Sequence, residues 1–448
     1  MRTILALLLL CAAAPAFAAT DTLVLPSSRL AALAHLPQGG TTELDAFPDG
    51  YGGTARVSLK RIEVYAPDAR VVLVDVAGEH QLARSRRIHL VGTDASGTVR
   101  VALAFDPDFS NLVGTGSAAR GAFAVSAERA SAGLSLRARP AEDALPAGVV
   151  PQVIPGEDAL DSGVVSPDTL ALTRALTQAA NGAASASLVP VTAVVAVDTD
   201  NELMSERFAN NTTAATNWIA DLFGAMNVMY QRDLDVTLRQ GTTYLRTTTD
   251  PYTVTDTPAG QNNLNEFGSY WSAHYGSVSR DFAMLLSGKA SSGNSSSGIA
   301  WVNAYCRTAS SGGSYSVTQV FTNPQVAVGY SALVVGHELG HNFGAYHTHC
   351  TNATTGGAPT GSNTIDKCYS GESGCYSGTT SCPTTGPGAP AGTVMSYCNV
   401  RGCGSNGQNV LVFHPTQIVT LGALIAQNTP SCLALGSTGD LIFRNGFD

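Results

Sequence analysis

Residues 336–347 read Gly-His-Glu-Leu-Gly-His-Asn-Phe-Gly-Ala-Tyr-His. On a helix, residues four apart share a face, so His337 and His341 can offer two imidazole nitrogens to one metal ion. Glu338 sits beside the first of them, where a carboxylate can take a proton from a metal-activated water. Gly344 permits a backbone turn that a side chain would resist, and that turn can bring His347 back as a third ligand. Three neutral ligands leave a fourth tetrahedral position for water, the arrangement of a catalytic zinc ion rather than a structural one. Any fold for this chain must therefore supply a helix, a sharp turn after it, and a cavity open to substrate at their junction.

The bare HExxH pentapeptide arises often by chance. The extended form HExxHxxGxxH fixes five residues over eleven positions and is far more specific. It is the metzincin pattern. A second signature follows at Thr393-Val394-Met395-Ser396-Tyr397. It is similar to the Met-turn that lies beneath the zinc site in that clan, with Met395 shaping the floor rather than binding metal. The expected cofactor is one catalytic Zn2+ held by His337, His341 and His347, with Glu338 as general base.

The 448 residues suggest two to three domains. Charge is sparse and net acidic, at −9, with no basic cluster, which argues against nucleic acid and anionic membrane as partners. Residues 1–19 read as a secretory signal peptide: Arg2 at the positive end, an apolar run over 4–14, and Ala16-Phe17-Ala18 as a small-x-small cleavage site. That run is too short to span a bilayer, and no later run of about 20 apolar residues follows. Cys11 lies inside the signal and follows Leu10, so a lipoprotein anchor is not expected. The other cysteines are Cys306, Cys350, Cys368, Cys375, Cys382, Cys398, Cys403 and Cys432, all in the last third around the histidine motif. Their even number in an exported chain suggests disulfides, whose connectivity the sequence leaves open; zinc-knuckle use is the rival reading. We expect a secreted, extracellular monomer acting on protein or peptide substrates, without a stable membrane anchor.

The fold class expected is α+β. Residues 20–140 carry strand-like runs (around 56–59, 71–76, 99–105 and 123–125) and read as a small β-rich N-terminal domain, a candidate propeptide. His35, His80 and His89 are scattered in it and read as surface or locally bonded. Residues 141–187 shift to Ala, Pro, Gly and Ser and read as a linker, with a short helix over 170–180 and exposure to proteolytic maturation. From 188 the pattern becomes α/β. We expect a buried strand over 189–197, a helix over 206–230, a strand pair at 235–238 and 243–246, a helix over 263–274, strands at 281–286 and 298–303, the histidine helix over 331–344, and a last helix over 415–426. Residues 434–448 read as a C-terminal tail, with Leu441-Ile442-Phe443 oddly apolar within it.

Residues 188–433 resemble the reprolysin-like (adamalysin-type) branch of the metzincin metallopeptidases. The matching runs are Asp281-Phe282-Ala283-Met284-Leu285-Leu286-Ser287-Gly288, Gly298-Ile299-Ala300-Trp301-Val302-Asn303-Ala304-Tyr305-Cys306 and Pro430-Ser431-Cys432-Leu433. His347-Thr348-His349-Cys350 with Asp366-Lys367-Cys368-Tyr369 is similar to a bacterial secreted subgroup. The resemblance implies a metzincin catalytic domain: a twisted mixed sheet, the zinc-binding helix, a Met-turn and a Cys306–Cys432 disulfide. It implies an endopeptidase whose substrate lies extended along the 298–303 edge strand, with residues just after Met395 walling the specificity pocket.

The chain departs from that pattern in places. The branch usually has Asp after the third histidine, and here it is Thr348. Tyr397 resembles the astacin and serralysin pattern, in which a tyrosine binds zinc or steadies the oxyanion; the plain alternative is a packed tyrosine. Residues 20–305 lack cysteine, so a cysteine plug on the zinc is excluded and a propeptide must inhibit sterically or through a carboxylate. Asp281 matches a calcium-site position of some members, but no other Ca2+ ligand is recognisable. His349 competes with His347 as third ligand and reads as its neighbour; His274 and His414 read as structural. The alternative to an endopeptidase is a secreted zincin-scaffold binding or adhesion protein without proteolytic activity, in which the intact Glu338 would have no purpose. A third reading keeps the β-rich domain as a permanent substrate-binding module.

Overall fold

The computed structural model describes residues 21–131, 133–155, 159–161, 190–404 and 409–436. The expected signal peptide, the helix expected over 170–180 and the Leu441-Ile442-Phe443 triplet lie outside the described residues.

The first region alternates apolar and polar side chains and forms an antiparallel sheet. Its strands are β1 (Thr22–Pro26), β2 (Thr41–Pro48) and β3 (Thr54–Ile62). The hairpin β4 (Val71–Asp75) and β5 (Gly78–Leu82) then leaves the sheet. β6 (Ile88–Asp94), β7 (Arg100–Phe105), β8 (Leu112–Ala118), β9 (Gly121–Ala130) and β10 (Gly133–Pro140) complete it, in the order β1-β10-β9-β8-β7-β6-β3-β2. Phe47, Leu59, Leu103, Phe105, Phe123 and Leu136 fill its core, and α1 (Ser27–Ala34) adds Leu33.

The second sheet is mixed. It contains β11 (Gln152–Val153), β12 (Ala159–Asp161), β13 (Val191–Thr199), β14 (Val236–Arg246), β15 (Phe282–Ser287), β16 (Ser295–Val302), β17 (Tyr315–Gln319) and β18 (Ala434–Leu435). The order is β11-β16-β17-β15-β13-β14-β4-β5, with β12 also on β16 and β18 on β13. β13 lies parallel between β14 and β15, β17 continues parallel to β15, and β16 closes the row antiparallel to β17. The near-continuous apolar run of β13 matches its cover on both faces.

Among the described residues, six helices accompany this part of the chain: α2 (Asn201–Phe208), α3 (Thr212–Leu234), α4 (Gln261–His274), α5 (Val328–Asn342), α6 (Cys398–Arg401) and α7 (Pro415–Gln427). The single helix expected over 206–230 is two. Ala209 and Asn210 take positive φ values of 49° and 59° between them. The side chains of Asp200 and Asn211 cap the two N-termini by accepting from Leu203 N and Ala214 N, so each half is a complete helix with its own start signal. The strand pair expected at 235–238 and 243–246 is one strand, β14, whose register against β13 shifts between Val195 and Val197. A β-bulge absorbs the polar Gln240-Gly241 stretch that lies between those two runs. β17 was not expected: it stands between the edge strand and the histidine helix, behind a run rich in Ser and Gly.

Buried charges fasten the two regions together. Arg87 pairs with Asp221 of α3, His89 Nε2 lies 2.9 Å from the same carboxylate, and Arg100 reaches Asp233 at 3.0 Å and the Leu411 carbonyl at 3.0 Å. His89 is thus neither a surface histidine nor locally bonded; it is buried in this seam. Ile62, Val64, Val91 and Ala102 share one hydrophobic core with α3 and β13. β4 also pairs parallel with β14, placing Val71 opposite Thr243.

The eight described cysteines form Cys306–Cys432, Cys350–Cys375, Cys368–Cys398 and Cys382–Cys403. The first is the pair that the resemblance implied. The sulfurs near Asp281 and those of Cys368, Cys398 and Cys403 are therefore disulfide sulfurs rather than thiolate ligands, which removes the zinc-knuckle reading. Asp281 accepts from Val194 N at 2.7 Å, and burial pushes its carboxyl up to about 6 against that bond. It anchors the start of β15. His35 and His274 are exposed and bond locally to Ala31 O and Tyr270 O; His414 caps α7 by accepting from Thr416 N.

Candidate active site

The site begins with the close packing of α5. Val335 and Leu339 of this helix are buried in the main core. On its lower face a Cβ at Gly340 would lie only 2.7 Å from Met395 Sδ, so the glycine lets the methionine sit directly beneath the helix. Met395 is fully buried, and the preceding carbonyl, Val394 O, accepts from His337 Nδ1 at 2.8 Å. The turn at 393–397 thereby orients the first histidine.

α5 ends at Asn342, and Gly344 takes φ +103°. The chain doubles back so that His341 Nδ1 donates to Ala345 O at 2.7 Å. A Cβ at Gly344 would run into Leu424 of α7 as well as strain the backbone. Gly344→Ala is therefore expected to cost about 1–3 kcal/mol of stability. It should also weaken zinc retention, because His347 hangs from this turn. Denaturant unfolding with and without zinc would check this: an equal loss in both states would mean that the turn serves the fold alone.

The tautomers follow from these partners. A carbonyl can only accept, so His337 and His341 carry their protons on Nδ1 and present lone pairs at Nε2. Those two Nε2 atoms are 3.1 Å apart. Two facing lone pairs at that distance repel unless a cation lies between them, and tetrahedral bonds of about 2.0–2.1 Å to one ion place nitrogens about 3.3 Å apart. A nitrogen of His347 joins them, all three within 4.8 Å of one another and all three rings buried. His347 Nδ1 donates to Glu372 Oε2 at 2.6 Å, which turns its Nε2 to the same point. The donor set fits a zinc ion, and His349 stands outside it. That ring stacks on His347 at 5.1 Å and bonds Glu372 Oε2 through Nε2 at 2.9 Å. Burial alone would raise the Glu372 carboxyl; hydrogen bonds from both imidazoles hold it down at about 2.

Glu338 is 1 % exposed and reaches beneath β16. Gly298 lies directly over its carboxylate, where a Cβ would collide with the glutamate side chain. Tyr397 is buried with its ring centroid 4.6 Å from His347 and 6.1 Å from His337. Thr348 donates its amide to Met395 O at 3.0 Å, and its hydroxyl binds Asp366. A carboxylate thus reaches the place next to the third histidine from Asp366, through the hydroxyl that stands where the resembled branch has aspartate.

These groups border a cavity of about 540 Å³ that includes His337, Glu338, Tyr397, Asn399 and Arg401. Gln152 and Ile154 form part of its rim. β11 runs parallel to β16, with Gln152 N donating to Asn294 O and Ile154 N to Ser296 O, both at 2.8 Å. β12 pairs parallel with 300–302 farther along the same strand. Sequence reading took residues 141–187 for a linker and had no sign of this docking. It also missed Glu372. The one available hint was its place between Cys368 and Cys375, close behind the histidines only once Cys350 and Cys375 are joined.

Among the described residues no helix is long and apolar enough to cross a membrane. No curated protein matches the chain. Residues 191–409 match the family model Reprolysin_5, described as metallo-peptidase family M12. That match spans the whole histidine cluster, its underlying methionine turn and the strand above it, and it identifies residues 191–409 as a reprolysin-like metzincin region of metallopeptidase family M12.

Proposed function

We propose that the protein is a secreted zinc-dependent endopeptidase made as a latent precursor. The observation that carries this reading is the convergence of three imidazoles beside a buried glutamate, in a cavity under β16. His337, His341 and His347 would hold the ion. Zinc, when bound, supplies the Lewis acidity that lowers the pKa of water toward about 7 and polarises a peptide carbonyl. Glu338 accepts the proton of the attacking water and returns it to the leaving amine. Tyr397 steadies the oxyanion from beside His347, and the substrate chain lies along the 298–303 edge, bound through its backbone. Ser396, Asn399, Val400 and Arg401 line the cavity next to this edge and set side-chain preference.

Latency follows from β11 and β12. They occupy the hydrogen-bonding edge of β16 that a substrate needs, so segment and substrate exclude each other. No cysteine is required, which agrees with the lack of one in residues 20–305. Four disulfides fit an oxidising, extracellular compartment, reached through the signal at 1–19.

The adhesion reading leaves Glu338 idle, although a glycine is kept above it. The test is casein hydrolysis by the purified chain after limited proteolysis in 162–189. A zinc chelator is expected to abolish cleavage, and added Zn2+ to restore it. Stoichiometric zinc binding without hydrolysis of casein or of a random peptide library would overturn the peptidase reading in favour of binding.

A further inference from the structure

The three imidazoles are not held alike. His337 and His341 give their Nδ1 protons to backbone carbonyls that α5 and the following turn fix in place. His347 lies beyond the glycine turn, and its Nδ1 bonds a side chain from a different loop, Glu372 at 2.6 Å. We propose that Glu372 is the positioning residue for this third ligand, and that the Cys350–Cys375 disulfide serves to deliver it. The inference rests on the zinc-site reading above.

A carboxylate acceptor does more than a carbonyl. It fixes the ring's rotation, and its charge raises the basicity of the far nitrogen, strengthening the bond to a cation. His347 needs both effects most, because no helix constrains it.

Glu372 must itself be held. Its loop, 351–392, is rich in Gly, Thr and Ser and has no long element of its own. Three contacts pin it. His349 donates to the same Oε2 at 2.9 Å, with its ring nearly parallel to that of His347. Cys350 follows His349 directly and is bonded to Cys375, three residues past Glu372. The amide of Tyr376 then donates to His349 O at 3.0 Å. The carboxylate is thus clamped between the ligand ring and a second ring, with the chain stapled beside it. A second metal site at His347, His349, Cys350 and Glu372 is ruled out by the same facts. Cys350 Sγ is in a disulfide, and both imidazoles point N–H groups at the glutamate.

The test measures zinc affinity of the full chain by competition with a chromophoric chelator, beside the unfolding midpoint of the metal-free protein. Glu372→Gln is expected to weaken zinc binding by about 10–100-fold. The metal-free midpoint should stay at the wild-type value, and Glu372→Asp should recover part of the affinity. His349→Gln is expected to weaken binding less than Glu372→Gln. Unchanged zinc affinity in Glu372→Gln overturns the proposal, as does a loss that Glu372→Asp leaves unimproved and that a fallen metal-free midpoint accompanies. If Glu372→Gln does not fold, Cys350→Ser with Cys375→Ser is measured in the same way. Weaker zinc binding there supports the proposal, and wild-type affinity overturns it. Wild-type protein that binds zinc but cleaves nothing removes the peptidase reading and leaves this one standing; wild-type protein that binds no zinc removes both.

Discussion

Replacing Gly298 by alanine is expected to lower peptide hydrolysis by about 10²–10⁴-fold, as far as replacing Glu338 by glutamine, with bound zinc unchanged in both. The two substitutions act on one contact from opposite sides. β16 passes so close over Glu338 that a methyl group on residue 298 falls on its side chain. The glutamate cannot retreat at no cost, because it is 1 % exposed and rooted between His337 and His341 of the same helix. Gly298 does not have a left-handed φ, so alanine there strains no backbone, and its effect is confined to the collision. The measurement is kcat on a quenched peptide with zinc content determined on the same sample. Full activity in Gly298→Ala would show that Glu338 works from another rotamer. Lost zinc in Glu338→Gln would make it a ligand-shell residue rather than the base.

The second large effect concerns latency. The full chain carrying proline at both 152 and 154 is expected to hydrolyse casein on the order of 10²-fold faster than the wild-type full chain. Gln152 and Ile154 donate the two amides that bind β11 to β16, and proline has no amide hydrogen to give. Each lost bond is worth about 1–1.5 kcal/mol, so the pair shifts the competition between segment and substrate by about 2–3 kcal/mol. Casein hydrolysis before and after limited proteolysis checks this. The variant should gain little from the protease, and the wild type much. Equal activity of variant and wild type before proteolysis would mean that β11 does not compete with substrate.

The parts of this molecule that were legible in the sequence are those whose information is local. Helical spacing puts His337 and His341 on one face, and one glycine announces the turn to His347; both signals lie within eleven residues. The Met-turn was readable as a short run, though not the contact of Met395 with Gly340. Hidden were contacts between distant segments. Glu372 is an ordinary loop glutamate until a disulfide sets it against His347. Residues 150–155, with proline at 151 and 155, read only as part of a linker, and composition says nothing of which strand edge such a segment will find. His89 looked incidental because its partner, Asp221, is 132 positions away. The break between α2 and α3 was written in Asp200 and Asn211, and was overridden by an apolar period that runs on through it.

The hairpin β4–β5 joins a strand far along the chain, with Val71 opposite Thr243. The first region thus offers α3 and β14 an apolar surface and a set of buried charges to pack against. The N-terminal region and the region after it therefore share one core. A cut in 162–189 leaves β11 and β12 as a free end that can leave β16, while the first region still shares its core with α3 until it is stripped away. Stripping it would bare one face of α3 and the outer edge of β14, the kind of surface on which chains aggregate. An enzyme matured in that way would keep its shape only by the height of its unfolding barrier. Once unfolded, it would lack the surface against which α3 and β14 pack.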